Sequence, residues 1–168
     1  MPQNGLVQGA ARFGLRVATW LFPLAPLLTR LVLGQAFFLT GRGKLEHFQN
    51  TVEFFTQLGI PLPALNAAFV SRLEFYGGIA LAIGLLTRLV AAGLASSMVV
   101  ALLTADRGHF LDALYSRGDA GLTDITPFVY LLFLLWLVLA GPGLISLDAL
   151  LARAIGLRPQ GPPSPGSD

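Results

Sequence analysis

The sequence predicts an all-α integral membrane protein, a four-helix bundle with an N-terminal interfacial helix and a short amphipathic helix in a loop. Hydrophobic residues make up 54% of the 168 residues and charged residues only 12%, whereas soluble domains carry roughly 25% charged residues. The apolar residues also lie in long blocks instead of alternating with polar residues, as the surface of a water-facing helix requires. We therefore expect one membrane domain and no soluble domain.

Composition excludes several classes of function. The net charge is only +2, and the basic residues are scattered along the chain, so nucleic acid is not an expected partner. The absence of Cys excludes thiolate-bound zinc, disulfide relays and iron–sulfur clusters. The sequence also has no nucleotide-binding glycine fingerprint, phosphate loop or nucleophile elbow. The expected partners are the lipid bilayer and either another protein or a second copy of the chain.

The first 22 residues predict an interfacial segment and not a span. Arg12 and Arg16 lie one helical turn apart among apolar residues, which is typical of a helix that lies in the membrane surface. No small-residue cleavage site follows cleanly, so we expect segment 1–22 to be retained. The Pro-rich tail 157–168 is predicted to be disordered. The four-helix transmembrane domain is therefore expected over 23–156.

Four apolar blocks are predicted to cross the bilayer. They are Leu24–Leu39, Phe69–Leu86, Leu89–Ala105 and Ile125–Ala140. The second and third are separated only by Thr87 and Arg88, but one helix of about 37 residues would be too long for a core of ~30 Å at ~1.5 Å per residue. These two blocks are therefore predicted to form a tight hairpin. Thr123 or Asp124 is expected to cap the last span, which Gly141 ends.

Two polar loops, 41–67 and 106–124, are predicted to lie at the same end of the bundle. The first contains apolar residues at helical spacing, including Phe48 and Phe55, which predict a short amphipathic helix. We expect both rings, together with Phe110 of the second loop, to pack across the outer end of the bundle. Five basic residues near the span ends lie on the side of the two termini and four lie on the opposite side, which favours cytoplasmic termini.

Charged residues at membrane depth are the main candidates for a functional site. Arg30 lies near the middle of the first predicted span and Glu74 lies in the second, where a charge costs at least ~2.5–3.5 kcal/mol to insert. We therefore expect both to face the bundle interior and to form an ion pair with each other. Such a pair could be a structural latch or a site that handles a ligand or a proton. Arg72, on another face, is expected to snorkel to the lipid head groups.

Small residues recur at four-residue spacing in the second and third predicted spans, as in Gly78 with Ala82. These repeats let helix backbones approach closely, and packing is the favoured interpretation. Gly77 and Gly78, beside Glu74, could instead leave room for a flat ligand such as a quinone ring.

Two histidines, His47 and His109, follow odd-numbered spans and are therefore predicted to lie at the same membrane face. They could meet as haem or metal ligands, but isolated loop histidines are more often solvated. We therefore predict no metal site.

The order of several motifs resembles the DoxX family of small bacterial inner-membrane proteins, over roughly Leu27–Leu151. The matching segments are TRLVLGQAFFLTGRGKLEHF, LGIPLP, LEFYGGIALAIGLLTR and AGPGLISLD, which ends at Asp148. The resemblance implies a four-helix, multi-pass fold in the bacterial inner membrane. It also implies a link to respiratory redox systems, because the related DoxD-type subunits belong to thiosulfate:quinone oxidoreductase. Quinone is thus the cofactor that the resemblance suggests.

Two classes of function remain open at this point. In the first, the chain is a membrane subunit or partner of a quinone-linked redox system, with Arg30 and Glu74 lining a pocket and Lys44 attracting an anionic group at its outer mouth. In the second, it is a non-catalytic assembly, chaperone or stress-response partner, as wider relatives of the family suggest. The residues alone assemble no complete cofactor site, so the sequence does not decide whether the chain is catalytic.

Overall fold

The computed structural model describes residues 23–115 and 121–156, and this part of the chain is all-α, without a strand. Its α-helices are α1 (Leu24–Glu46), α2 (Phe48–Gln57), α3 (Pro63–Ile83), α4 (Thr87–Leu103), α5 (Arg107–Leu114), α6 (Thr126–Ala140) and α7 (Leu147–Ala154), with a 3₁₀ turn at Leu122–Asp124. The expected interfacial segment 1–22 and the expected disordered tail 157–168 lie outside the described residues.

The four longest helices pack as two pairs, α1 with α3 and α4 with α6, and the short α3–α4 turn joins the pairs. All four helices contribute to one apolar core. Its fully buried side chains include Phe37, Leu81, Leu94, Leu134 and Leu137. The fold therefore holds its helices together through a single hydrophobic cluster that lies between the two pairs.

Helix α1 continues to Glu46, well past the predicted end at Leu39. Apolarity stops at Leu39, but the polar residues that follow include good helix formers. Arg42 also donates to Glu46 four residues later at 2.7 Å, which is a helix-stabilising spacing. The extension turns Lys44 from a predicted loop residue into a helical one.

The predicted hairpin between the second and third apolar blocks is confirmed as two helices, although the break lies at 84–86 and not at Thr87-Arg88. Gly84 ends α3 with φ +74°, a left-handed conformation that favours glycine. Leu86 follows with φ +48°, so the chain reverses within three residues. The hairpin is therefore tight because two left-handed residues flank Leu85.

The start of α6 differs from its predicted cap. The helix begins at Thr126 with no side-chain cap at Ile125, and Asp124 instead accepts a hydrogen bond from the backbone N–H of Gly121 at 2.8 Å. The expected cap at Thr123 or Asp124 is therefore wrong, because the 3₁₀ turn takes that carboxylate.

The predicted amphipathic loop helix is confirmed as α2, whose buried face carries Thr51 and Phe55. Phe48 is only partly buried, and the ring of Phe110 lies 6.1 Å from that of Phe128. The loops therefore place aromatic side chains against the helices, with Phe55 the most deeply buried of the three that the sequence singles out.

Length and apolarity identify one described helix, α1, that can cross a membrane by itself. Helices α4 and α5 would count as a second span only if taken together, and they are bent by 82°. Helix α6 is apolar but has 15 residues. Four membrane spans are thus not established by these criteria, although large apolar side chains are exposed on α1, α3, α4 and α6.

Candidate functional site

Helices α1 and α3 touch backbone to backbone. A Cβ atom at Gly34 would lie 2.9 Å from the backbone nitrogen of Ala82, and one at Gly41 would overlap the backbone of Phe75. The separation of seven positions between Gly34 and Gly41 thus matches the separation of seven positions between Ala82 and Phe75. The two helices are therefore antiparallel, with one register along their contact.

This register brings Lys44, three residues beyond Gly41, to Glu74. The Lys44 Nζ atom lies 2.6 Å from Glu74 Oε1 and 2.6 Å from Oε2, and it donates a hydrogen bond to each. Hydrogen bonds between two charged groups are shorter and stronger than neutral ones. Lys44 is therefore the charge partner of Glu74.

The two partners differ in their exposure to the surroundings. The Glu74 side chain is 2% exposed, whereas that of Lys44 is 32% exposed. A carboxylate this deeply buried requires a partner, which Lys44 supplies. An ammonium group has three N–H donors, and Glu74 accepts two of those on Lys44. The third donor has no acceptor among the described residues.

A cleft of about 380 Å³ lies beside Lys44, where α1 meets α2. Its lining residues are Thr40, Gly43, Lys44, His47, Asn50, Thr51, Phe54 and Phe55. Thr51 donates to the carbonyl oxygens of Lys44 and His47 at 3.3 Å each, which ties α2 to the end of α1. Aromatic walls with a few converging polar groups are typical of ligand sites.

The predicted ion pair between Arg30 and Glu74 is wrong. The register of α1 and α3 places Arg30 beside Gly84, and the separation of ten positions between Glu74 and Gly84 corresponds to about 15 Å along the helix. The predicted spans Leu24–Leu39 and Phe69–Leu86 differ in their ends from α1 and α3, so they misjudge the relative depth of the two charges. The two helices are in fact staggered, so each charge meets a different partner.

Arg30 is 1% exposed and binds backbone carbonyl groups. Its Nε donates to the carbonyl oxygen of Pro26 at 3.3 Å, and one Nη donates to that of Ile145. The other, Nη1, is buried without a hydrogen-bond partner among the described residues. Arg30 thus links the start of α1 to the segment that precedes α7.

Asp148 is a structural residue whose role the sequence analysis missed. Its Oδ1 and Oδ2 accept hydrogen bonds from the backbone N–H groups of Leu86 and Thr87, at 2.7 and 2.9 Å, and its own N–H donates to the carbonyl oxygen of Gly84 at 2.9 Å. A carboxylate is favourable at this position because it faces the N-terminus of α4. Asp148 therefore fastens the first turn of α7 to the α3–α4 hairpin.

A local signal for α7 does exist in the sequence. Ser146 begins the helix, because its hydroxyl oxygen accepts from the N–H of Ala149 at 3.0 Å. The same hydroxyl donates to the carbonyl oxygen of Gly143 at 2.9 Å. A serine followed by Asp148 in the first turn is a typical helix start.

The space beside the two neighbouring glycines is filled by other helices. A Cβ atom at Gly78 would lie 2.5 Å from the backbone nitrogen of Phe38 in α1. Gly77 faces α4, where a Cβ atom would lie 3.5 Å from Val90 and Leu94. The packing interpretation is confirmed, and the space that the alternative required for a flat ligand is filled by α1 and α4.

The two histidines lie in exposed positions at separate places in the chain. His47 follows α1 and lines the cleft, whereas His109 lies on α5. Within 23–115 and 121–156, no group of three or more His, Asp or Glu side chains could hold a metal ion.

Comparisons with known proteins place this site in a family context. The sequence model described as DoxX matches residues 25–107, which include Arg30, Lys44 and Glu74. No solved structure matches the chain.

Relatives from three bacteria match most of the chain. "Putative oxidoreductase CatD" of Bacillus subtilis (strain 168) is 32% identical over 76% of this chain and 87% of the relative. "Uncharacterized membrane protein Rv3486" of Mycobacterium tuberculosis is 33% identical over 78% and 83%, respectively. "Inner membrane protein YqjF" of Escherichia coli (strain K12) is 30% identical over 76% and 92%.

Proposed function

Because this chain belongs to the DoxX family of membrane proteins, we propose that it is a multi-pass inner-membrane subunit of a quinone-linked redox system. The cleft beside Lys44 and Glu74 would bind the quinone head group. The chain has no Cys to hold an iron–sulfur cluster or form a disulfide relay, and in this proposal the electrons come from a partner subunit. The name of the Bacillus subtilis relative supports an oxidoreductase, and that of the Escherichia coli relative supports the inner membrane.

The observation that carries this proposal is the third N–H donor of Lys44. Glu74 holds the ammonium at the wall of the cleft through two hydrogen bonds, and the remaining donor is available to a quinone carbonyl oxygen. The ring of Phe54, about half exposed in the same wall, can cover a flat and largely apolar head group. The volume of about 380 Å³ suits a single ring system.

We further propose four membrane spans, with the termini cytoplasmic. Support comes from Arg30, Gly84 and Ile145, which meet although they belong to the start of α1, the α3–α4 turn and the segment after α6. Reporter fusions at Ile60 and Tyr115 should give one location, and fusions at Leu85 and Gly156 the other. Equal signals at Ile60 and Leu85 would contradict the crossing by α3.

Quinone binding is tested on protein purified in mild detergent. Solvent extraction and chromatography should recover quinone with the wild-type protein, and a short-chain quinone should bind to the quinone-free protein. Asn50→Leu removes a side-chain amide from the cleft wall without touching the salt bridge and should weaken binding about tenfold, the effect of losing one hydrogen bond from that amide to the quinone. Arg42→Gln, whose arginine is exposed and paired with Glu46, is the matched control.

The alternative is a non-catalytic assembly, chaperone or stress-response partner. It predicts that the purified protein carries another protein and no quinone, and that Asn50→Leu binds the short-chain quinone as weakly as the wild type. If no quinone is extracted from the wild-type protein, either a co-purified protein or equally weak quinone binding by Asn50→Leu and the wild type would favour this alternative over the redox proposal.

A further inference from the structure

Helix α3 carries an exposed stripe of large side chains with one cation in it. Leu65, Phe69, Arg72 and Tyr76 recur at three- or four-residue spacing, and all are exposed. Glu74, two residues from Arg72, lies on a different face and is buried. The stripe therefore points away from the site described above.

Arg72 bends back along its own helix. Its Nη1 atom donates to the carbonyl oxygen of Ala68 at 3.1 Å, one turn towards the start of α3. The guanidinium group thus lies near the level of Ala68, about 7–8 Å along the axis from Pro63 at ~1.5 Å per residue. This is the direction in which a snorkelling side chain moves its charge towards a membrane surface.

The rest of the guanidinium group is available for binding. Arginine has five N–H donors, and the described residues provide one acceptor and no carboxylate partner for Arg72. Its planar fork matches the geometry of a phosphate group, which can accept two parallel hydrogen bonds. Arg72 is thus suited to an anion that approaches from outside the bundle.

An apolar groove of about 420 Å³ lies directly beside this cation. Its lining residues are Leu65, Ala68, Phe69, Arg72 and Leu73. Four of the five are apolar, so the groove suits a hydrocarbon chain, and the single charge at its edge suits an acidic head group. An acidic side chain from another protein would satisfy Arg72 but would leave the apolar walls without a matching partner.

We propose that this groove binds one phospholipid, with its phosphate on the guanidinium group of Arg72 and an acyl chain against Leu65 and Phe69. The proposal rests on one part of the proposed function, the placement of α3 in the bilayer. It does not depend on the quinone site, which lies on the other face of the helix. The ligand is a membrane lipid and not free phosphate, because the groove is largely apolar.

The test uses the full-length protein in detergent with added dioleoylphosphatidylglycerol. Native mass spectrometry should detect one retained lipid on the wild type, and its melting temperature should rise by about 2–4 °C. Arg72→Gln should lose the retained lipid and the rise, whereas Arg72→Lys should keep part of both because it preserves the charge. Phe69→Ala, which removes an apolar wall, should also weaken retention.

The matched control is Arg42→Gln, since Arg42 is also exposed but is paired with Glu46. Equal lipid retention by Arg72→Gln and the wild type overturns the proposal. An equal thermal shift with inorganic phosphate alone overturns the assignment to a lipid. A changed oligomeric state of Arg72→Gln with unchanged lipid retention would make the groove a protein interface. Quinone retention should be the same in Arg72→Gln, so this test and that of the redox proposal fail independently.

Discussion

The two ends of the α1–α3 pair hold buried charges in different ways. At the paired-charge end, Lys44 binds Glu74 directly. At the backbone-bonded end, Arg30 binds carbonyl oxygens and Asp148 binds N–H groups, and neither forms a salt bridge with a described residue. A charge that binds backbone holds segments of chain together, whereas a partly exposed charge pair can also serve a ligand. The backbone-bonded end is therefore structural, whereas the paired-charge end is the candidate site.

The charged side chains at the two ends also differ in their accessibility to a ligand. Lys44 lines a cleft and keeps one N–H donor that Glu74 does not use. Arg30 is 1% exposed and also keeps an unpartnered nitrogen, but one of its bonds stays within the start of α1 and the other ties α1 to the backbone of Ile145. Unused bonding capacity therefore points to a ligand only where the surroundings leave access to it.

The largest effect is expected when the partners of the paired-charge end are separated. Lys44→Met leaves Glu74 buried without a countercharge and should lower the free energy of unfolding by ~3–5 kcal/mol. Glu74→Leu should cost less, because the Lys44 side chain is already 32% exposed and can move its charge outwards. Denaturation of both single variants measures this asymmetry.

The double variant Lys44→Met/Glu74→Leu completes the cycle. It should recover most of the loss, since no charge remains buried. Strictly additive losses would show that the two residues do not interact in the folded protein. Recovery of stability without recovery of quinone binding would assign the pair to the site and not only to the fold.

The next effect concerns the close approach that positions the pair. A Cβ atom at Gly41 would overlap the backbone of Phe75, so Gly41→Ala should force α1 and α3 apart and cost about 1–3 kcal/mol or more. Gly43→Ala is the control, because nothing lies within 4 Å of a Cβ atom there. It should be neutral or stabilising by up to ~1 kcal/mol through helix propensity. Equal effects of the two variants on thermal melting would refute the register.

The contrast between Gly41 and Gly43 also shows how far the sequence could predict this molecule. Apolar blocks predict the long helices, and the spacing of Phe48 and Phe55 predicts α2. Both signals are local, so they indicate which helices form but not how one is staggered against another. Stagger depends on which small residues meet across the interface, and no periodicity within a single helix contains that information.

The candidate site was therefore predicted in part. Burial of Glu74 follows from its place in an apolar helix, and it is correct. Its partner is misassigned because Lys44 follows the apolar block, where the sequence predicts a loop, whereas the residue lies in the last turn of α1. The role of Asp148 was missed because its partners, the N–H groups of Leu86 and Thr87, are more than sixty positions away and carry no side-chain signature.

A smaller effect is expected at the backbone-bonded end. Asp148→Ala removes the acceptor of two N–H groups at the start of α4 and should cost about 1–2 kcal/mol, and Asp148→Asn should cost less because it keeps one acceptor oxygen. Hydrogen exchange at Leu86 and Thr87 should accelerate in the alanine variant. Asp112→Ala is the control, since Asp112 is exposed on α5.

This prediction tests whether the role of Asp148 is only to hold α7 against the α3–α4 turn. Proteolysis within α7 should increase in Asp148→Ala while the quinone affinity stays at the wild-type value. Loss of quinone binding together with unchanged exchange at the α3–α4 turn would reverse the assignment of the two ends.

The smallest effects are expected from two buried threonines, one at each end. Thr51 Oγ1 donates to two carbonyl oxygens at 3.3 Å, whereas Thr87 Oγ1 is buried without a hydrogen-bond partner among the described residues. Valine has nearly the same shape as threonine but no hydroxyl group. Thr51→Val should therefore cost about 1 kcal/mol, and Thr87→Val should be neutral or slightly stabilising, because it removes a desolvated polar group that gains nothing on folding. Chemical denaturation of both variants compares the ends directly. A loss at Thr87 equal to that at Thr51 would mean that the hydroxyl of Thr87 has an acceptor, and that the backbone-bonded end is held by more than Arg30 and Asp148.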